Sequence, residues 1–375
     1  MCVKMRYFKT VILCIIAAIS ICACGNVNEG ENKVLLEGTL ELVADKEQLR
    51  SDGEDVVVFT VILTDSKGVE HDVTEDAEIY VVGNQTSLSS NMFTTQTEGK
   101  YVVYAVYGLS LSPELTITAF NDVPSLPQDP NEGSTEFKHR ILLIQHTGAT
   151  CSNCPRMMNV LRELSNDASY NHLYHHVASH SYNGGESDAA FSEAAANLSA
   201  VVNPEGYYPM LTFNLTDTAI GTDISEIKGQ IDLLKKERAD AGIAASTAVS
   251  GTDVVVNVEV KADVANSYRV AAWLLEDDIY SIQAGMSESW HNTHDNALRY
   301  MAGVNSQYSF VGAKLGDLTK GNKASKVFVM PIDKSWKVEN CKVLVFVTAA
   351  DKNGNFDIVN CAICSIDGTV SYDYK

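Results

Sequence analysis

The sequence is short of positive charge: 28 lysines and arginines stand against 48 aspartates and glutamates, a formal net charge of −20 over 375 residues. A surface of this sign repels phosphate backbones, so we expect no nucleic-acid partner. It also repels anionic lipid headgroups. Beyond the N-terminal region, no apolar run approaches the roughly 18 residues that a membrane-spanning helix needs. A chain of this length suggests two or three domains.

The N-terminal residues have the pattern of an export signal. Cations at positions 4, 6 and 9 precede an apolar run over residues 11–21, which ends in Ile21-Cys22-Ala23-Cys24. This ending resembles the lipobox of bacterial lipoproteins, in which a small residue precedes the lipid-bearing cysteine. Cys22 is the rival anchor, but Ile21 before it is too large for the peptidase. We predict removal of residues 1–23 and a lipid on Cys24; an ordinary secretory signal is the alternative.

The negative charge of the protein opposes its binding to a membrane surface, and a lipid on Cys24 would hold the protein there. Stable anchoring needs two or more acyl chains, such as palmitate, and lipoprotein modification supplies them. Residues 24–33 are polar and rich in glycine and asparagine, which is typical of a flexible tether.

Residues 34–120 contain short, alternating β-branched runs separated by turn residues, a pattern that predicts a β-sandwich. There is no Cys…Trp…Cys pattern of an antibody domain in this region. The motifs Ala-Asp-Lys at 44–46, Ser-Asp-Gly at 51–53 and Gly-Lys-Tyr at 99–101 resemble a bacterial immunoglobulin-like domain. Residues 121–136 hold three of the eight prolines and predict an extended, semi-rigid linker.

Residues 137–241 alternate between strand and helix patterns. The continuous apolar run at 141–144 is typical of a strand buried on both faces, and Met157, Leu161 and Leu164 form a helical stripe. The order β-α-β-α-β-α predicts a small, mainly parallel sheet covered by helices.

Residues 242–375 return to strand patterns and predict a C-terminal β-sandwich. The turn at 351–355 predicts a hairpin whose paired positions place Cys364 opposite position 343. Cys341 lies two residues away on the same face, so a Cys341–Cys364 disulfide and buried free thiols are both open. Cys361 lies three residues from Cys364 and should point to the other face.

The sharpest chemical motif is Cys151-Ser-Asn-Cys154-Pro, which follows a buried strand and opens a helix. A thiolate at a helix N-terminus has a lowered pKa, so Cys151 is expected to be an exposed nucleophile and Cys154 a buried resolving thiol. Pro209 precedes the third strand, where thioredoxin-like folds carry a cis-proline, and we expect a cis Tyr208–Pro209 bond.

Other features weaken the redox interpretation. Thr150 stands where a tryptophan usually precedes the first cysteine, and no buried acid is apparent; His146 and His180 are the polar candidates nearby. The alternatives for Cys151 and Cys154 are catalytic redox, a static disulfide and a metal site. A static pair is favoured.

A metal site would need two further ligands, for example from the cluster of His172, His175, His176 and His180, of which His176 and His180 share a strand face. The spacing has no zinc-finger regularity, so we predict no metal and no cofactor. The polar and aromatic segment at 290–299 is either a binding loop or a surface loop packed against the rest of the protein. We favour the packed surface loop.

Together these pieces resemble the Omp28-related family of outer-membrane lipoproteins. The resemblance covers roughly residues 137–375 and rests on Cys24, on the segment at 144–155 and on the segment at 291–299. It implies an outer-membrane location, a thioredoxin-like domain and a β-rich C-terminal domain, and a surface adhesin or receptor role suggested for some members.

The sequence therefore predicts a multidomain protein: an immunoglobulin-like β-sandwich, an α/β thioredoxin-like domain and a C-terminal β-sandwich. Three domains on a flexible tether favour a protein that presents a binding surface over an enzyme that turns over a substrate. We expect a surface module that binds a protein or glycan ligand and is not an enzyme. The alternative is an envelope thiol–disulfide oxidoreductase that uses Cys151 and Cys154, with Pro209 beside them.

Overall fold

The computed structural model describes residues 36–121, 123–216, 219–303 and 310–375. The predicted signal peptide, the lipidation site Cys24 and the whole tether at 24–33 lie outside the described residues. Within these ranges no helix is long and apolar enough to cross a membrane.

Residues 36–121 form nine strands in two sheets, which enclose one apolar core that includes Leu40, Val61, Val103 and Ile117. The predicted β-sandwich is confirmed at this level. The strands are β1 (Gly38–Ala44), β2 (Gln48–Arg50), β3 (Val57–Asp65), β4 (Glu70–Asp72), β5 (Glu78–Val81), β6 (Met92–Phe93), β7 (Gly99–Tyr107), β8 (Ser110–Leu111) and β9 (Leu115–Phe120).

The proline-rich segment that follows is docked on the C-terminal part of the chain. The main-chain oxygen of Pro124 accepts hydrogen bonds from Ser246 at 2.9 Å and from Asn257 at 3.0 Å. The carboxylate of Asp129 pairs with the buried ammonium of Lys261 at 3.0 Å. The segment therefore covers one face of a sheet as well as connecting two parts of the chain.

The central part alternates strands and helices as predicted. Its elements are β10 (Ile141–Thr147), α1 (Cys154–Asn166), β11 (Tyr174–His180), α2 (Glu193–Val202), β12 (Met210–Phe213), β13 (Ala219–Ile220) and α3 (Ile224–Leu234). Every residue of β10 is buried. Helix α1 packs with Leu143 on one face and α2 with Ile144 on the other.

The prediction of a mainly parallel sheet is wrong. Strands β10 and β11 are parallel, but β12 is antiparallel to β10 and β13 is antiparallel to β12. The first residue of β12, Met210, pairs with His146 near the carboxyl end of β10. The short connection after α2 thus brings the chain into the sheet at that end, and β12 must run back along β10.

In the described ranges 241–303 and 310–375, the C-terminal part adds eleven strands. They are β14 (Ala241–Ser250), β15 (Asp253–Ala262), β16 (Asn266–Glu276), β17 (Ile279–Tyr280), β18 (Thr293–His294), β19 (Ala297–Ala302), β20 (Ala313–Leu318), β21 (Lys323–Pro331), β22 (Cys341–Ala350), β23 (Phe356–Ser365) and β24 (Thr369–Val370).

Two sheets enclose the C-terminal core, so its sandwich character fits the prediction. One has the order β21-β15-β14-β24. The other continues the central sheet in the order β13-β12-β10-β11-β19-β16-β22-β23, with β20 beside β16. The sheet crosses the predicted domain boundary between residues 241 and 242, because Ala178 of β11 pairs with Ala297 of β19.

The predicted hairpin register is confirmed, since Val343 pairs with Cys364. Cys341, Cys361 and Cys364 are buried free thiols, so the Cys341–Cys364 disulfide does not form. Cys361 and Cys364 belong to different core clusters on the two faces of β23, as expected from strand geometry.

Candidate functional site

The CxxC motif lies where the sequence placed it, between a buried strand and a helix. Helix α1 begins at Cys154, and Cys151 and Cys154 form a disulfide. Only 2% of Cys151 and none of Cys154 is exposed. The expectation that Cys151 is exposed is therefore wrong, and the reason lies in another part of the chain.

Residues 281–286, which we call the cover segment, lie against the CxxC loop. The side-chain amide of Gln283 donates to the main-chain oxygen of Cys151 at 2.9 Å. The backbone N–H of Ala284 donates to the main-chain oxygen of Ala149 at 2.7 Å. Because both acceptors belong to the CxxC loop, the cover segment holds that loop in place and shields its first cysteine.

Gly285 brings the two backbones closest together. It has φ +69°, and a Cβ built on it would lie 2.1 Å from the main-chain oxygen of Ser152. A side chain cannot fit at that distance, so the approach of the cover segment to the motif depends on glycine.

A cavity of about 830 Å³ opens on the α1 side of the sheet. Helix α1, the strands β10 and β11, and residues 290–296 form its walls. Its lining includes Gln145, Thr147, His176, His180, Trp290, His294 and Asn296. The segment at 290–299, for which close packing on the surface was favoured, thus also supplies a wall of this cavity.

Two histidines in this cavity are fixed as neutral rings. The side-chain amide of Asn296 donates to Nδ1 of His176 at 3.3 Å, and burial lowers the pKa of His176 to about 3. Nε2 of His294 donates to the main-chain oxygen of Ser281 at 3.1 Å, and burial lowers the pKa of His294 to about 4. At neutral pH neither ring supplies a positive charge.

His180 is held by a buried acid that the sequence did not reveal. Its Nδ1 lies 2.8 Å from Oδ2 of Asp188, which also accepts from the backbone N–H of Ala149 at 2.7 Å. Burial opposes ionisation of Asp188, but the hydrogen bond and charge of His180 and the two backbone donors, Ala149 and Ala190, hold the pKa of Asp188 below its usual range. The expectation that no buried acid lies near the motif is wrong.

No local pattern distinguishes Asp188 in the sequence, since it lies in an irregular connection between β11 and α2. Gln283 and Gln145 were missed for a similar reason. A single glutamine in a strand or loop carries no spacing signal; their role follows only from contacts between distant segments.

The other predicted histidines lie elsewhere. His146 faces α2, where its ring nitrogens contact the hydroxyls of Ser199 at 2.9 Å and Thr212 at 3.0 Å, and burial lowers its pKa to about 4. His172 is exposed and His175 lines a different, smaller cavity. His176 and His180 share a face, as predicted. Over the described ranges, no three His, Cys, Asp or Glu side chains are placed to share a metal ion.

Pro209 lies at the start of β12 in a cis peptide bond with Tyr208, as expected. The register of β10 and β12 pairs His146 with Met210, so Pro209 falls opposite Thr147, at the edge of the sheet from which the CxxC loop leaves. The hydroxyl of Tyr208 contacts that of Ser181 at 2.9 Å.

The fold and the site thus define a β-rich, multi-sheet protein with a covered disulfide and a polar cavity on the same side of one sheet. The family profile described as outer membrane protein Omp28 matches residues 206–365. This match associates the C-terminal half of the chain with outer-membrane proteins.

Among solved structures, the chain is similar to HBP35 of Porphyromonas gingivalis, with 16% identity and a TM-score of 0.50, over 64% of this chain and 78% of that one. It also resembles a structural-genomics target from Agrobacterium tumefaciens, with 15% identity and a TM-score of 0.40, over 64% of this chain and 99% of that one. No curated protein matches the sequence. At such identities the likeness concerns fold alone.

Proposed function

We propose that this chain is a lipid-anchored, surface-associated binding protein of the outer membrane. Its cavity is the binding site, and the Cys151–Cys154 disulfide is a structural staple beside it. The observation that carries the proposal is the cover segment. It buries the disulfide under Gln283 and Gly285, whereas the neighbouring cavity keeps a volume of about 830 Å³.

The central part acts in this proposal as a thioredoxin-like scaffold. The order β10-α1-β11, the CxxC motif at the start of α1 and the position of Pro209 support that assignment. The N-terminal sandwich is proposed to be an immunoglobulin-like spacer. Together with the tether at 24–33 it would carry the cavity away from the lipid on Cys24.

The test of the disulfide's role compares the soluble chain, starting at residue 25, with its Cys151→Ala variant in an insulin-reduction assay with dithiothreitol. A staple predicts the same slow rate for both proteins. A wild-type rate well above that of Cys151→Ala would contradict the proposal and support the second candidate.

That second candidate is an envelope thiol–disulfide oxidoreductase. It is favoured by the placement of Cys154 as the first residue of α1, because a helix N-terminus stabilises a thiolate. Exchange would need the cover segment to leave Cys151, because a substrate thiolate must reach a sulfur atom directly.

The anchor has its own test. Cells that express the full chain are labelled with an alkyne analogue of palmitate, and the label on the protein is measured. Cys24→Ser is expected to abolish labelling and Cys22→Ser to leave it unchanged. The opposite pattern would move the anchor to Cys22.

A further inference from the structure

The inner wall of the cavity carries hydrogen-bonding groups that the protein does not use. The side-chain nitrogen of Gln145 and Nε2 of His176 are buried and have no hydrogen-bond partner in the described part of the chain. Gln145 is only 4% exposed. Buried polar groups are nearly always paired, so each such atom calls for an explanation.

Both atoms are donors. The amide nitrogen of Gln145 can only donate. In His176 the amide of Asn296 donates to Nδ1, so Nδ1 has no proton and Nε2 carries it in the neutral ring. The two residues lie on one face of adjacent strands, since Gln145 pairs with Ala178, two residues beyond His176.

An acceptor lies on the facing wall. His294 uses its Nε2–H to bond the main-chain oxygen of Ser281, which leaves the lone pair of Nδ1 as the acceptor of the neutral ring. Gln145, His176 and His294 therefore offer two donors and one acceptor to the cavity. A secondary amide is the complement, since its carbonyl oxygen accepts twice and its N–H donates once.

The charges around the cavity favour a neutral ligand. The charged side chains of its wall, Arg162 and Asp295, are exposed and of opposite sign. The guanidinium of Arg162 lies 4.6 Å from the ring centre of Trp290. His180 is paired with the buried carboxylate of Asp188 at 2.8 Å, so this pair carries no net positive charge. The neutral rings of His176 and His294 likewise give an anion no counter-charge.

We propose that this cavity binds the main chain of a neutral peptide segment through Gln145, His176 and His294. The proposal rests on the assignment of the cavity as a binding site and names its ligand class. A peptide is favoured over an isolated amide because it repeats the matching carbonyl and N–H groups at every residue, and the cavity is large enough for several residues.

The test is a titration of the soluble chain, starting at residue 25, with three probes, followed by NMR of the histidine ring protons. The probes are N-acetylalanine methylamide, N-acetylalanine and N-acetylglucosamine. The first probe ends in a neutral amide where the second ends in a carboxylate. The third probe carries its amide on a sugar. We expect saturable binding of the methylamide, and binding of each of the other two probes about tenfold weaker or more.

Two variants locate the binding. Gln145→Leu and His176→Phe are each expected to weaken methylamide binding about tenfold, since each removes one hydrogen bond in a desolvated site. His172→Phe is the control, because its ring is exposed outside the cavity, and should bind as the wild type does. Gln145→Leu should fold at least as stably as the wild type, because it removes a buried unpaired donor.

The outcomes separate the two proposals. Tighter binding of N-acetylalanine or N-acetylglucosamine through the same residues would overturn the peptide assignment and leave the cavity as a binding site. Saturable methylamide binding that is unchanged in both variants would also overturn it. If none of the three probes binds, both the ligand class and the assignment of the cavity as the binding site fail.

Discussion

The side-chain amide of Gln283 donates a hydrogen bond of 2.9 Å to the main-chain oxygen of Cys151, across 132 residues of sequence. This contact joins the C-terminal part of the chain to the CxxC loop. The same amide also donates to the main-chain oxygen of Ala284 at 3.1 Å. Gln283 therefore bonds both the CxxC loop and the backbone of the cover segment. Exposure of the disulfide is therefore coupled to opening of the cover segment.

The first prediction concerns Gln283→Ala. Loss of its hydrogen bonds should lower the free energy of opening the cover segment by about 1–2 kcal/mol. The disulfide should then be reduced about 5–30 times faster by dithiothreitol, as measured by quenched alkylation and mass spectrometry. Gln128→Ala, at an exposed glutamine, is the control. Equal rates for wild type and Gln283→Ala would show that Gln283 does not govern access.

The second prediction uses two glycines with the same backbone conformation. Gly285 has φ +69° and Ser152 close by, whereas Gly206 has φ +66° and nothing within 4 Å of an added Cβ. Alanine strains the backbone at both positions, but only Gly285→Ala collides with the CxxC loop. We expect Gly285→Ala to cost about 1–3 kcal/mol more in urea unfolding than Gly206→Ala. Similar costs would mean that the close approach is not needed.

The third prediction concerns a buried ion pair between the neighbouring strands β16 and β19. Arg299 lies 2.7 Å from Glu276, and its guanidinium donates to the main-chain oxygens of Ala189 and Phe191, both at 3.0 Å. Glu276→Gln leaves a buried cation without its counter-charge, which should cost about 3–5 kcal/mol of unfolding free energy.

The matched control for that prediction is an exposed pair. Lys235 and Asp232 lie 2.6 Å apart, with side chains 48% and 45% exposed. Asp232→Asn should cost less than about 1 kcal/mol. A loss in Glu276→Gln as small as that in Asp232→Asn would show that the buried pair does not hold the 189–191 connection.

The fourth prediction is a loss of stability in mild acid. Burial lowers the pKa of His146 and His294 to about 4 and that of His176 to about 3, from 6.5 for a free histidine. The unfolded chain therefore takes up protons first. The stability that these neutral rings contribute is complete above pH 6.5 and falls as the pH drops toward 4, by about 1.4 kcal/mol per pH unit for each ring.

Urea unfolding at pH 7 and pH 5 measures this effect. His146→Gln, which replaces a buried ring, should make stability less dependent on pH, whereas His172→Gln at the surface should leave the dependence unchanged. Greater stability at pH 5 than at pH 7 would contradict the assignment of these histidines as neutral buried groups.

Much of the local structure followed from the sequence. The buried run of β10, the start of α1 at the CxxC motif and the pairing of Val343 with Cys364 depend on short apolar patterns and on one turn. Such features are set by residues close together in the chain, so a single sequence is enough to predict them.

The arrangement of the candidate site could not be predicted from the sequence in the same way. The place of Cys151 at a helix N-terminus predicts an exposed sulfur, and the cover segment from a distant part of the chain buries it. Asp188 meets His180 because an irregular connection folds back on β11. The antiparallel course of β12 depends on which end of β10 the chain enters. These are long-range packing choices, and hydrophobic periodicity contains no information about them.

The most direct test of the central claim, that Cys151–Cys154 is a covered staple, is its reduction potential. The soluble chain is equilibrated with redox buffers of dithiothreitol, and the fraction of free thiols is measured by alkylation and mass spectrometry. A covered structural disulfide should have a potential below about −300 mV. A potential between about −270 and −120 mV, the range of thiol–disulfide oxidoreductases, would contradict the claim.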